Sequence, residues 1–265
     1  MNLTYDKHLL EIPFYQLHPE YLPFVGDAYA QYRVLLVGES HYLDQEPSSQ
    51  TYDLAYFTEH WWNGDNADLS GELYAKNFHT RGVIERYLNG NRTKGHLLFT
   101  NLGKVFSETV LEQPIDHIDM ESSQVFQCFA FMNFFQMPSL FSGGKYWNSL
   151  KCSEMLNGAP GDALACWDRC VAESAAVLDD VIRILQPELI VFSSASAYDA
   201  YTQSRSARET NCRLKKIPHA GCSWWNRKTE AYGNRTGREI FREILEEYLA
   251  ARKRLEKHTE IPWGS

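Results

Sequence analysis

Apolar positions along this chain fall into two patterns: short unbroken runs, and long stripes at three- and four-residue steps. The runs are Arg33-Val-Leu-Leu-Val-Gly38, Cys128-Phe-Ala-Phe-Met-Asn-Phe-Phe135, Glu188-Leu-Ile-Val-Phe192 and a shorter one, Arg213-Leu-Lys-Lys-Ile-Pro218. An unbroken apolar run bounded by polar or turn residues reads as a strand covered on both faces. Between Ala163 and Gln186, Leu164, Trp167, Val171, Leu178, Ile182 and Leu185 share one stripe, so an amphipathic helix is expected, ended by Pro187. A strand follows at once, which is the return of a βαβ unit and implies a parallel sheet. Helical patterning also covers 71–89, 97–111 and Gly237 to Leu255. The expected architecture is α/β, a three-layer αβα sandwich around about four mostly parallel strands.

Two stretches stand outside this alternation. Residues 1–32, rich in aromatics and containing Pro13, Pro19 and Pro23, read as an irregular arm packed on the body. Residues 43–70 are polar with interspersed aromatics, including Tyr52, Tyr56, Phe57, Trp61 and Trp62, and read as a long loop or broken helix, the kind of segment that usually has a function. Neither a low-complexity linker nor a repeat appears, so 1–265 reads as one domain.

Composition narrows the classes without choosing among them. The 265 residues are 44% hydrophobic and 23% charged, values of a globular protein. No apolar run approaches the roughly 18 to 20 residues needed to cross a bilayer, and the N-terminus has neither a basic start nor a cleavable apolar core. A cytoplasmic protein without membrane association, and a monomer, is expected. The six cysteines form no Cys-x-x-Cys pair, and they read as buried thiols with no metal or other cofactor. Net charge is −8, yet eight basic residues against Glu230 and Glu239 lie between Arg213 and Arg242. That local excess leaves open either a polyanion-binding face or a solvated one.

Candidate chemistry sits where strands end. Glu39, Ser40, His41 and Tyr42 follow the first strand, Asn133 lies near the end of the second, and His219 follows the fourth. Parallel strands put such residues on one rim, where α/β sheets place their ligands. Each alone has a structural explanation, as a helix cap, a loop-bonded amide or a turn histidine. Together they provide a carboxylate, a donor–acceptor amide and an imidazole.

The order of these pieces resembles a known family. Val37-Gly38-Glu39-Ser40 looks like a first motif in which glycine ends a strand and opens a water-activating loop. Ala130-Phe-Met-Asn-Phe-Phe-Gln136 resembles a strand bearing a base-reading asparagine. Gln186-Pro-Glu-Leu-Ile-Val-Phe192 matches a shared helix-to-strand step, and Ile217-Pro-His-Ala-Gly-Cys-Ser223 stands where a late histidine motif closes the site. Over roughly residues 33 to 225 the chain resembles the uracil-DNA glycosylase superfamily, closest in its first motif to the Gly-Glu type. The resemblance implies hydrolysis of an N-glycosidic bond in DNA, with Glu39, His41 and His219 catalytic. Gly38, Ser40, Tyr42, Phe57, Asn133 and Ser223 would bind the flipped base, with Tyr42, Tyr56 and Phe57 available to stack on it. Trp224 and Trp225 would enter the helix as an apolar wedge, and Arg227 and Lys228 would meet phosphates.

Departures from the family redirect the expectation. Ser40 stands where many members carry Asp or Asn, so Glu39 or His41 must activate water. Ala220 and Gly221 replace the Pro-Ser of the last motif, Tyr42 replaces a small residue, and the four spaced cysteines of iron–sulfur members are missing. A modified or damaged pyrimidine, met in repair or in phage DNA, is therefore expected rather than uracil. Two other readings stay open. One is another hydrolase using Gly38-Glu-Ser-His41, with Ser40, Asp199 and His219 in the Ser-Asp-His order but without the closing glycine of a nucleophile elbow. The other is a non-catalytic DNA-binding member of the fold.

Overall fold

A computed structural model describes the backbone of 1–42, 54–64, 79–90, 96–113, 121–139, 160–204 and 211–259, and the side chains of these residues apart from 54–57, 121–123, 160–162 and 256–259. Five strands form one sheet: β1 (Phe24–Val25), β2 (Val34–Gly38), β3 (Phe129–Asn133), β4 (Leu189–Phe192) and β5 (Arg213–Lys216), in the order β1-β3-β2-β4-β5. β2, β3, β4 and β5 are parallel to one another, and only β1, paired with β3, is antiparallel. The fold is α/β around a mostly parallel sheet, compatible with a three-layer sandwich. The sequence leads one to expect four strands; the fifth, β1, comes from the arm. Two residues are too few for a periodic signal, and their strand exists only because β3 offers an edge to pair with.

The chain divides into two compact units, each assembled from two stretches: Met1–Arg86 with Gln127–Lys216, and Tyr87–Phe126 with Ile217–Ser265. A single domain is what the sequence suggests, and no linker composition marks any of the three boundaries.

In the first unit every residue of β2, β3 and β4 is buried, which explains why these strands read as continuous apolar runs rather than alternations. Leu35, Val37, Ala130, Met132, Ile190 and Phe192 point to one face and share a core with Leu178, Val181 and Leu185 of helix Pro160–Leu185. Cys166 and Cys170 of that helix are buried free thiols. The edge strand β5 is partly exposed and carries Arg213, Lys215 and Lys216, charges that discourage edge-to-edge pairing.

The arm is more regular than expected. It holds short helices Asp6–Leu9, Pro13–Leu17 and Tyr29–Tyr32 beside β1, and its Leu9, Ile12, Phe14, Tyr15, Tyr21 and Tyr29 belong to the core. Fully buried His18 stacks between Phe14 and Trp61, with ring centroids 4.7 and 4.2 Å away, and its Nε2 lies 2.9 Å from the Trp61 carbonyl. Arg81 grips Asp6 through two nitrogens at 2.8 and 2.6 Å and donates to the Pro23 carbonyl, tying the arm to helix Thr80–Leu88. Such bidentate pairs are stronger than neutral hydrogen bonds.

In the second unit helix Leu97–Val110 packs on helix Gly237–Thr259, with Phe106 against Phe241 and Glu108 accepting from both Arg238 and Arg242. The latter helix starts with a capping box. The Glu239 carboxylate accepts from the Thr236 backbone N–H at 2.8 Å, and Thr236 Oγ1 accepts from the Glu239 N–H at 3.1 Å. Gly237 is required by space: a Cβ there would come within 2.9 Å of the Trp225 ring.

Candidate functional site

β2 leads to β3 on one side of the sheet, whereas β4 leads to β5 on the other. The crevice between the carboxyl ends of β2 and β4 is therefore the topological switch point, where open α/β sheets bind ligands. Glu39 leaves β2 at that crevice.

The backbone beyond β2 is held on both sides. The N–H groups of Phe134 and Phe135 donate to the carbonyls of Gly38 and Glu39 at 3.0 and 2.9 Å, and Ser139 N–H donates to the His41 carbonyl at 2.8 Å. On the β4 side, Ser193 N–H donates to the Val37 carbonyl at 2.8 Å. Pairing thus continues past the strand ends, and Tyr42 bridges Ser139. These bonds fix the backbone of residues 38–42.

Glu39 reaches toward β4. Its Oε2 accepts from Ser194 Oγ at 2.7 Å, while its Oε1 is buried without a hydrogen-bond partner. Burial pushes the carboxyl above the usual carboxylate range, and the serine hydrogen bond opposes that shift. Tyr42 is likewise raised by burial, with the nearby Glu39 charge adding to it.

Asn133 closes the other side. It ends β3 in register with Gly38, and a Cβ at position 38 would overlap its Oδ1. The backbone carbonyl of Asn133 accepts from Gln136 Nε2, which stiffens the turn, and no hydrogen bond engages its side-chain amide among the described residues. The structure therefore brings Gly38, Glu39 and Asn133 together. Of these, Glu39 keeps a buried carboxylate oxygen with unfilled hydrogen-bonding capacity among the described residues.

Ser40 and His41 are buried. His41 Nε2 lies 3.1 Å from Thr80 Oγ1, which in turn donates to the Tyr21 carbonyl at 3.4 Å, and the Tyr21 ring meets the imidazole edge-on. The backbone of Phe57 and Tyr56 lies in helix Leu54–Trp62; their side chains lie outside the described residues, as do the other residues of 43–53 and 65–70 singled out above.

The remaining candidates belong to the second unit. His219 Nδ1 accepts from the Gly221 backbone N–H at 3.1 Å, and burial lowers the affinity of the ring for a second proton. The ring is thereby neutral with its hydrogen on Nε2, a donor. The loop is held by Asn101, whose amide donates to the Ala220 carbonyl. Ser223 is exposed at the start of a 3-10 turn, Ser223–Trp225.

Two sequence readings need correction. Trp225 is 1% exposed and packs on Phe241 and beneath Gly237, so it is a core residue and no wedge; Trp224, at 49%, alone stays available. The basic excess is also largely compensated. Lys216 pairs with Asp199, Lys228 with Glu239, Arg235 with Glu243, and Arg238 and Arg242 with Glu108. Arg227 remains exposed.

Asp199, a member of the Ser-Asp-His order, is engaged by Lys216 at 2.9 Å. Among the described residues no group of three or more His, Cys, Asp or Glu is placed to hold a metal ion, and no helix is long and apolar enough to cross a membrane. Ser194 and Thr80 were not anticipated. Ser194 could have been, because it follows the third apolar run as Glu39 follows the first.

No family model matches the chain, and no curated protein matches it.

Proposed function

We propose that the protein is a monofunctional DNA glycosylase that hydrolyses the N-glycosidic bond of a flipped-out, modified or damaged pyrimidine, working as a cytoplasmic monomer in repair or against phage DNA with modified bases. One observation supports this reading above the others: Glu39 Oε1, buried without a hydrogen-bond partner among the described residues, leaves β2 at the switch point, and the Asn133 amide ends the adjacent parallel strand on the same rim. A carboxylate and an amide are the groups such a reaction needs at its two ends.

In the reaction a water oxygen bonds to the sugar anomeric carbon as the carbon–nitrogen bond breaks, and the bonding pair leaves on the base. Glu39 takes the water proton, and the base anion acquires a proton from solvent. Negative charge from Glu39 also stabilises the sugar cation that develops. The Asn133 amide offers both a donor and an acceptor, which suits it to checking a base edge. Removing one such donor costs about 3–4 kcal/mol in the barrier.

The test is a panel of duplexes carrying uracil, mismatched pyrimidines and bulky modified pyrimidines, assayed for alkali-labile abasic sites. Release of at least one base, abolished by Glu39→Gln, is expected. DNA binding without release of any base would replace the enzyme with a non-catalytic DNA-binding protein.

A further inference from the structure

The Ser194 hydroxyl is committed on both sides. It is the N-cap of the nine-residue helix Ala195–Gln203, and its Oγ accepts from the Ala197 N–H at 3.2 Å. The single hydroxyl hydrogen goes to Glu39 Oε2 at 2.7 Å. The residue is 2% exposed, so water does not compete for either bond. Its neighbour Ser193 is tied to the Val37 carbonyl, which fixes the end of β4 against the end of β2.

The consequence falls on Glu39. With Oε2 occupied by a donor, a proton gained by the carboxyl goes to Oε1, the oxygen that lacks a partner. The helix N-terminus beside the pair also favours the ionised carboxyl.

We propose that Ser194 is a positioning residue, which through its hydroxyl holds Glu39 with Oε2 engaged and Oε1 as the oxygen that exchanges a proton. The serine–glutamate link stands on geometry alone; only the assignment of the exchanged proton to the hydrolytic water rests on the glycosylase reading. Ser194 does not touch substrate in this account and acts wholly through Glu39.

The experiment follows the Glu39 carboxyl by NMR of protein labelled with carbon-13 at glutamate Cδ, its signal assigned by loss in Glu39→Gln. Ser194→Ala removes the hydroxyl. Ser194→Gly does the same while keeping a residue tolerated at an N-cap, so that loss of the cap is separated from loss of the bond. Ser194→Thr restores the hydroxyl. Losing a hydrogen bond to a charged group is expected to weaken the acidity of Glu39 roughly 10- to 100-fold in the first two variants, with Ser194→Thr near wild type. The acid limb of the base-release profile should move upward by the same interval. Folded Ser194→Ala and Ser194→Gly proteins with an unmoved Glu39 titration would overturn the proposal, as would a Ser194→Thr titration displaced as far as that of Ser194→Ala. A displaced titration in a protein that releases no base from any duplex would leave the link standing and remove the glycosylase reading instead.

Discussion

Gly38 and Asn133 are register partners across two parallel strands, and the Asn133 Oδ1 fills the space that any side chain at position 38 would need. Glycine is required here for room, since its backbone is not among those with positive φ. Gly38→Ala is expected to push the amide aside at a cost of about 1–3 kcal/mol in stability, in the manner of other overpacked sites. Part of that cost should disappear in an Asn133→Ala background. Urea denaturation of the four proteins of this cycle measures the coupling, with about 0.5 kcal/mol or more expected for side chains in contact.

Under the proposed glycosylase reading, Glu39 links activity to stability with opposite signs. Its folded-state pKa lies above the ordinary 4.5, so the folded protein holds the proton more tightly than the unfolded chain does. Stability from this group is full below about pH 4.5 and is lost as pH rises through the raised value. Glu39→Gln, which removes the buried charge, should therefore be more stable than wild type at pH 7.5, and the advantage should vanish near pH 4. In the proposed reaction base release needs the ionised form, so it should fall away on acidification at a higher pH than an ordinary glutamate would give. Melts and rates at matched pH values check both statements. Undiminished turnover in Glu39→Gln would transfer the role to His41.

His219 should titrate as a histidine that resists protonation. Nitrogen-15 NMR of the imidazole is expected to show one N–H, on Nε2, and a neutral ring at pH 6.5. Because the folded value is depressed, stability from this group is present above about pH 6.5 and is lost as pH falls toward the folded pKa. Gly221→Ala would place a Cβ 3.0 Å from Cε1 and 3.2 Å from Nδ1 of the ring, displacing it. The titration should then return toward the ordinary value.

The adjacent tryptophans should behave as unlike residues. Trp225→Ala removes a fully buried ring and should cost about 3–5 kcal/mol of stability. Trp224→Ala should change stability by no more than about 0.5 kcal/mol. If Trp224 stacks on DNA bases, its loss should weaken duplex binding by about 1–3 kcal/mol. Thermal melts and a binding titration separate the two effects.

Much of the first unit was legible from the chain. β2 and β4 announced themselves because strands covered on both faces have no polar positions, and helix Pro160–Leu185 did so by its stripe. The pairing of Thr236 with Glu239 was equally legible, as a Thr-x-x-Glu spacing at the start of the last helix, and was missed. β1 was not legible, since two residues have no period. Nor was the fate of the basic stretch, because Glu108 and Asp199, which neutralise three of its members, come from outside it.

The sequence by itself determined the α/β class, the parallel direction of the main strands, and the presence of a glycine, a carboxylate and an amide at strand ends, because all of these follow from local periodicity and from the chemistry of single residues. Tertiary structure decided which of those groups meet. Register set Asn133 against Gly38, strand order set Ser194 beside Glu39, and packing turned one of two neighbouring tryptophans inward. These outcomes depend on contacts between residues far apart along the chain, and such contacts leave no periodic trace in the segment that makes them.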